Sequence, residues 1–166
     1  MMSSRMIAWL TIFYLSTWLA ANAQAWKETN TNTAHARARA ESKIIVQSSK
    51  AKPYDQTASP ALMEVRINET FTGDMDGESS VRALQILRDD HSASLVSMQR
   101  FHGKLGGRQG TFVLQGQEIV ENGKIKATWF VVPGSATGDL SGLRGEGGFE
   151  GDFGKGSRGT LDYWFD

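Results

Sequence analysis

The stretch GTFVLQGQEIVENGKIKATWFVV, residues 110–132, decides the fold. Two runs rich in strand-favouring residues flank Asn122-Gly123. That dipeptide suits a two-residue hairpin turn, because both of its positions must take φ > 0. On the second arm Ile125, Ala127, Trp129 and Val131 alternate with Lys124, Lys126, Thr128 and Phe130. A period of two turns one face of a strand to a core and the other to water. Residues 110–132 are therefore expected to form an antiparallel hairpin.

The same rhythm extends in both directions. In residues 62–72 Met63, Val65, Ile67 and Phe71 share a face, opposite Glu64, Arg66, Asn68 and Thr70. Residues 77–88 set Val81, Ala83 and Leu87 against Arg82 and Arg88, and Leu161, Tyr163 and Phe165 alternate in 158–165. Residues 36–49, 92–102 and 144–153 read as further strands. Turn signals stand between nearly all of them: Gly73-Asp74 with Asp76-Gly77, Asp89-Asp90, Gly106-Gly107, Pro133-Gly134 and Gly154 to Gly156. About eight strands with short links predict an all-β domain, an eight-stranded antiparallel up-and-down meander closed into a barrel, since closure removes exposed edges. A two-sheet sandwich is the alternative. Eighteen Gly against three Pro fit a turn-rich β chain with no helix of length.

Residues 1–25 read differently. Arg5 precedes an apolar run from Met6 to Ala21, and both Ala21-Asn22-Ala23 and Ala23-Gln24-Ala25 offer small residues for cleavage. This is the layout of a secretory signal helix, and the run falls short of the ~20 residues of a membrane span. Residues 26–34 are polar and aperiodic, a loose mature N-terminus. The barrel is expected over 35–166, exported to the periplasm or the medium, with no stable membrane association after cleavage.

The composition excludes several classes. Lys plus Arg and Asp plus Glu are both 18, a balance that disfavours nucleic acid as a partner. With no Cys there is no disulfide framework, thiol nucleophile, thiolate metal site or lipidated cysteine. His35, His91 and His102 form no metal-binding spacing. The Gly-rich segments 103–110 (GKLGGRQG) and 142–148 (GLRGEGG) lack the Lys-Ser/Thr and following helix of a phosphate loop. Asp74, Asp76 and Glu78 lack the remainder of a calcium loop. No cofactor and no metal are expected.

Three motifs in order carry a resemblance. They are Phe71-Thr72-Gly73-Asp74-Met75-Asp76-Gly77-Glu78-Ser79, Gly106-Gly107-Arg108-Gln109-Gly110-Thr111-Phe112-Val113-Leu114-Gln115, and the run from Ala127-Thr128-Trp129 through Val132-Pro133-Gly134 to Gly147-Gly148-Phe149, followed by Thr160-Leu161-Asp162-Tyr163. Over about residues 35–166 the chain resembles the bacterial family catalogued as domain of unknown function 3224. The resemblance implies an eight-stranded meander barrel similar to the allene oxide cyclase and dirigent barrels, and no assigned activity. It also implies a Glu-Arg pair where this chain has Gln99-Arg100.

A barrel of this size can be filled by side chains or hold one small ligand. Gln85, Gln99, Gln115, Arg144 and Glu146 are polar residues on or near strands, and Trp129 and Tyr163 lie on apolar faces. These seven are the candidate ligand-binding residues, although a one-residue slip would turn any of them to the other side. Glu69, on the apolar face of its strand, is a further lumen carboxylate. The first functional reading is a barrel binding a small, largely apolar ligand. The second is a homo-oligomeric scaffold joined through outward Phe130 and Trp164. The third is an isomerase- or cyclase-like enzyme using an inward carboxylate or Tyr163, with no catalytic residue assigned.

Overall fold

The computed structural model describes residues 36–88 and 90–166. The expected leader, the polar tail and His35 lie outside the described residues. The strands are β1 (Ala38–Asp55), β2 (Leu62–Gly73), β3 (Met75–Leu87), β4 (Ala93–Leu105), β5 (Arg108–Glu121), β6 (Lys124–Val131), β7 (Thr137–Gly138), β8 (Leu143–Asp152) and β9 (Gly156–Phe165). Each pairs antiparallel with its sequence neighbour, except that β6 pairs with β8 and the two-residue β7 lies against β5. The ring runs β1 to β6, then β8 and β9, and β9 returns to β1. This is the closed eight-stranded meander barrel expected from the residues, with one short extra strand.

In the hairpin of residues 110–132, β5 and β6 pair from Leu114↔Val131 to Glu121↔Lys124. Asn122 and Gly123 take φ of 50° and 72°, the twist that lets two right-twisting strands continue as neighbours.

One expected turn is shorter than its residues suggest. Asp76-Gly77 lies inside β3, and the chain reverses at Asp74, whose carboxylate Oδ2 accepts the Glu41 N–H at 3.0 Å. Gly77 serves a different purpose. Gly77, Gly103, Gly110 and Gly138 stand side by side on adjacent strands. A Cβ on Gly77 would lie 2.3 Å from the His102 carbonyl oxygen. The sheet coils too tightly along this row for side chains, which is how a small barrel turns its corner.

The interior fills in two apolar groups. The larger contains Phe71, Met75, Phe101, Phe112, Leu114 and Trp129, and Leu140 joins it from the β7–β8 connection. Phe71 meets Phe101 edge-on at 5.5 Å between centroids, and Phe101 lies 4.9 Å from Phe112. The smaller contains Val65, Ala83, Ala93, Leu95 and Val120, with Met63, Ile67 and Ile125 against it.

Candidate functional site

Between the two apolar groups the strands carry polar residues on their inward faces. β2 runs from Val65 and Ile67 through Glu69 to Phe71. β4 runs from Leu95 through Ser97 and Gln99 to Phe101, and β5 from Leu114 through Gly116 and Glu118 to Val120. β3 adds Ser79, the register partner of Glu69. Glu69, Ser79, Ser97, Gln99 and Glu118 thus form a polar belt on the β2–β5 half of the barrel.

The belt contains two sets of hydrogen bonds. Gln99 Nε2 donates to Glu69 Oε2 at 2.7 Å and to Ser79 Oγ at 2.6 Å, and Ser79 Oγ donates to the same Glu69 oxygen at 3.2 Å. Ser97 Oγ donates to Glu118 Oε1 at 2.5 Å. Among the described residues Glu118 Oε2 is buried with no hydrogen-bond partner. Gly116 lies beside it, and a Cβ there would stand 3.1 Å from both Glu118 Oε1 and Ser97 Oγ.

The electrostatics follow from this setting. Burial pushes the Glu118 carboxyl above its ordinary range, opposed by the bond from Ser97. Burial also raises Glu69, and the neighbouring Glu118 charge adds to the rise while Ser79 and Gln99 oppose it. Among the described residues no Lys or Arg contributes to either shift. A desolvated carboxyl without a cation favours its protonated form, in which it can donate as well as accept a hydrogen bond.

The candidate residues divide between the two faces. Gln99 lies in the belt. Trp129 is inward and buried in the larger apolar group; its Nε1 donates to the Thr160 carbonyl at 3.0 Å, and its ring lies 5.2 Å from that of Phe149. Gln85 is half-buried between Met63 and Leu95 in register. Tyr163 packs against the larger group with its hydroxyl over Gly106, away from the belt. Gln115, Arg144 and Glu146 are turned outward. Arg144 Nε donates to Asp166 Oδ2 at 2.5 Å, and Glu146 accepts from Arg37 at 3.3 Å. Arg144 and Glu146 alternate with Gly145 and Gly147, and the inner side of that strand is marked by Leu143 and Phe149, which flank the glycines and pack in the larger group.

Glu118 and Ser97 were not among the candidates. The signal for Glu118 lay in its spacing of four from Leu114 and two from Val120. It was obscured because Val113-Leu114 and Ile119-Val120 each place one apolar residue on either face. Val113 points outward yet is buried, because the segment after β6 folds over it and the Ser135 hydroxyl accepts its N–H at 3.0 Å.

A closed meander barrel with a belt of uncompensated carboxyls between two apolar groups defines the class of this domain. Over residues 40–166 the chain matches the family described as "Protein of unknown function (DUF3224)", and it belongs to that family. A solved structure of a protein of unknown function from the same family, from Shewanella oneidensis MR-1, is similar with a TM-score of 0.63 at 27% identity, covering 79% of this chain and 98% of that one. No curated protein matches the chain.

Proposed function

We propose that the domain is an exported binding module that receives a small, largely apolar molecule in its lumen, with one hydrogen-bonding group of that molecule seated on Glu118. The unpartnered Glu118 Oε2 carries this reading. A buried polar atom is almost always paired, and an orphan marks the place of a missing partner. Gly116 sets no side chain against the Glu118–Ser97 pair, where a Cβ would crowd both at 3.1 Å, and apolar side chains on both sides of the belt suit the rest of such a molecule. Export rests on the leader-like residues 1–25.

Native mass spectrometry of the protein purified from its own host tests both parts. The expected result is a mature chain beginning after Ala23 or Ala25 and carrying a noncovalent adduct. Glu118→Leu and Gly116→Ala should each lose the adduct, the first by removing the carboxyl and the second by pressing a methyl against the Glu118–Ser97 pair while the carboxyl stays in place. Bare mass for the wild type, or an adduct unchanged in both variants, would overturn the lumen site. An unprocessed N-terminus would overturn export alone.

The upward shift of two neighbouring carboxyls favours a second reading, proton-transfer catalysis on the bound molecule. The Glu118→Gln variant separates the two. It keeps a hydrogen-bonding group for binding and removes the transferable proton, so an adduct converted by the wild type but retained unchanged by the variant would favour catalysis.

A further inference from the structure

The outer face of the sheet carries a feature that the lumen reading does not use. β3, β4, β5, β6 and β8 place Arg82, Met98, Gln115, Phe130 and Glu146 side by side in one outward row. The row lines a depression of about 1270 Å³. Met98 is 50% exposed and Phe130 42%, and in the adjacent row Leu84 and Val96 are 48% and 58% exposed. Large apolar side chains clustered in a concavity and rimmed by charge mark an interaction surface rather than the scattered apolar residues of an ordinary surface.

The order of the row indicates what covers it. It reads basic, apolar, amide, apolar, acidic. A half-turn about an axis through Gln115 carries the row onto its own complement: Arg82 meets Glu146, Met98 meets Phe130 and Gln115 meets Gln115. A glutamine amide both donates and accepts, so it can pair with its own copy. A two-fold interface requires one patch complementary to itself. We propose that this face docks a second copy of the chain about a two-fold axis at Gln115.

The ions at both ends of the row are free to exchange partners. Arg82 reaches Glu64 at 3.5 Å and Glu146 reaches Arg37 at 3.3 Å, in exposed settings on at least one side, and such pairs hold weakly. Five strands at about 4.8 Å spacing span roughly 19 Å. That is a modest face compared with the ~800 Å² per partner of a standard interface, so the dimer forms and dissociates with concentration.

Sedimentation equilibrium of the mature protein from its host, across the micromolar to millimolar range, tests the proposal. The wild type should dimerise. R82E and E146R should each weaken the dimer by about tenfold or more, because each homodimer then brings like charges together. An equimolar mixture of R82E and E146R should recover wild-type association, since both cross-axis pairs become opposite in sign. Recovery also shows that both variants are folded. A wild type that stays monomeric, a dimer indifferent to both reversals, or a mixture no tighter than either variant alone would overturn it. A monomer that takes up an apolar dye at Met98 and Phe130 would likewise overturn it, assigning the groove to a small ligand.

Discussion

Glu64 and Glu118 are carboxyls on two sides of one sheet, and their surroundings have opposite effects. Glu64 faces outward among Arg66 at 2.9 Å, Lys52 at 3.2 Å and Arg82 at 3.5 Å. The Arg66 and Lys52 contacts hold its carboxyl below the usual range. Glu118 has Ser97 as its partner and is pushed upward by burial. The outer face compensates its charges and gains little from doing so, because water screens them. The inner face leaves its carboxyls uncompensated, where the low dielectric makes that costly. A sheet shaped only for stability would have an apolar residue at position 118.

The contrast between packing on the two faces should be the largest effect. Phe101→Ala, in the centre of the aromatic group, is expected to cost about 3–5 kcal/mol in urea unfolding. Phe130→Ala on the outside should cost about 0.5 kcal/mol or less for the isolated chain. Comparable losses would mean that the outer row is already covered.

Next comes the cost of the buried carboxyl. A raised folded pKa means that, above the ordinary value of 4.5, the folded state holds a proton that the unfolded chain has released. Stability is therefore full below that pH and declines as pH rises through the folded pKa, by up to about 1.4 kcal/mol per pH unit for each such group. Glu118→Leu should flatten this decline and stabilise the domain at pH 7 by about 1 kcal/mol or more. Urea midpoints across the pH range check it, and a parallel decline in wild type and variant would remove Glu118 as its source.

The smallest effect belongs to Glu64. Its lowered pKa has the reverse sign, with a contribution present above 4.5 and lost as pH falls through the folded value. Glu64→Gln should barely move the urea midpoint. Carbon-detected titration should place the Glu64 midpoint below 4.5 and the Glu118 midpoint above it; equal midpoints would erase the distinction between the two faces.

The strands were legible because each one exposes a face to water, so that Met63, Val65, Ile67 and Phe71 declare a period of two and carry Glu69 inward with them. Closure was legible for the same reason, since eight half-buried strands in sequence order have few other ways to cover their edges. The site was only half legible. Apolar doublets hid Glu118 in β5, and in β8 the glycines beside Arg144 and Glu146 left the inner side to Leu143 and Phe149, of which Leu143 lies one residue outside the expected strand. The Asp76-Gly77 pair has the composition of a turn, but its glycine answers a crowding between β3 and β4 that exists only after the sheet has curled. Facing and crowding are properties of the closed ring, and a single strand does not record them.

The seam of the ring lies where β1 meets β9, from Ala38↔Tyr163 to Ile44↔Ser157. The strand that begins the barrel must wait for the strand that completes it. A nascent chain therefore carries two unsatisfied borders until Gly156–Phe165 emerges, and through that interval each border can recruit a foreign strand. Shortening the chain by its last ten residues would not leave a smaller barrel. It would leave an unrolled sheet with two adhesive edges, whose fate is aggregation.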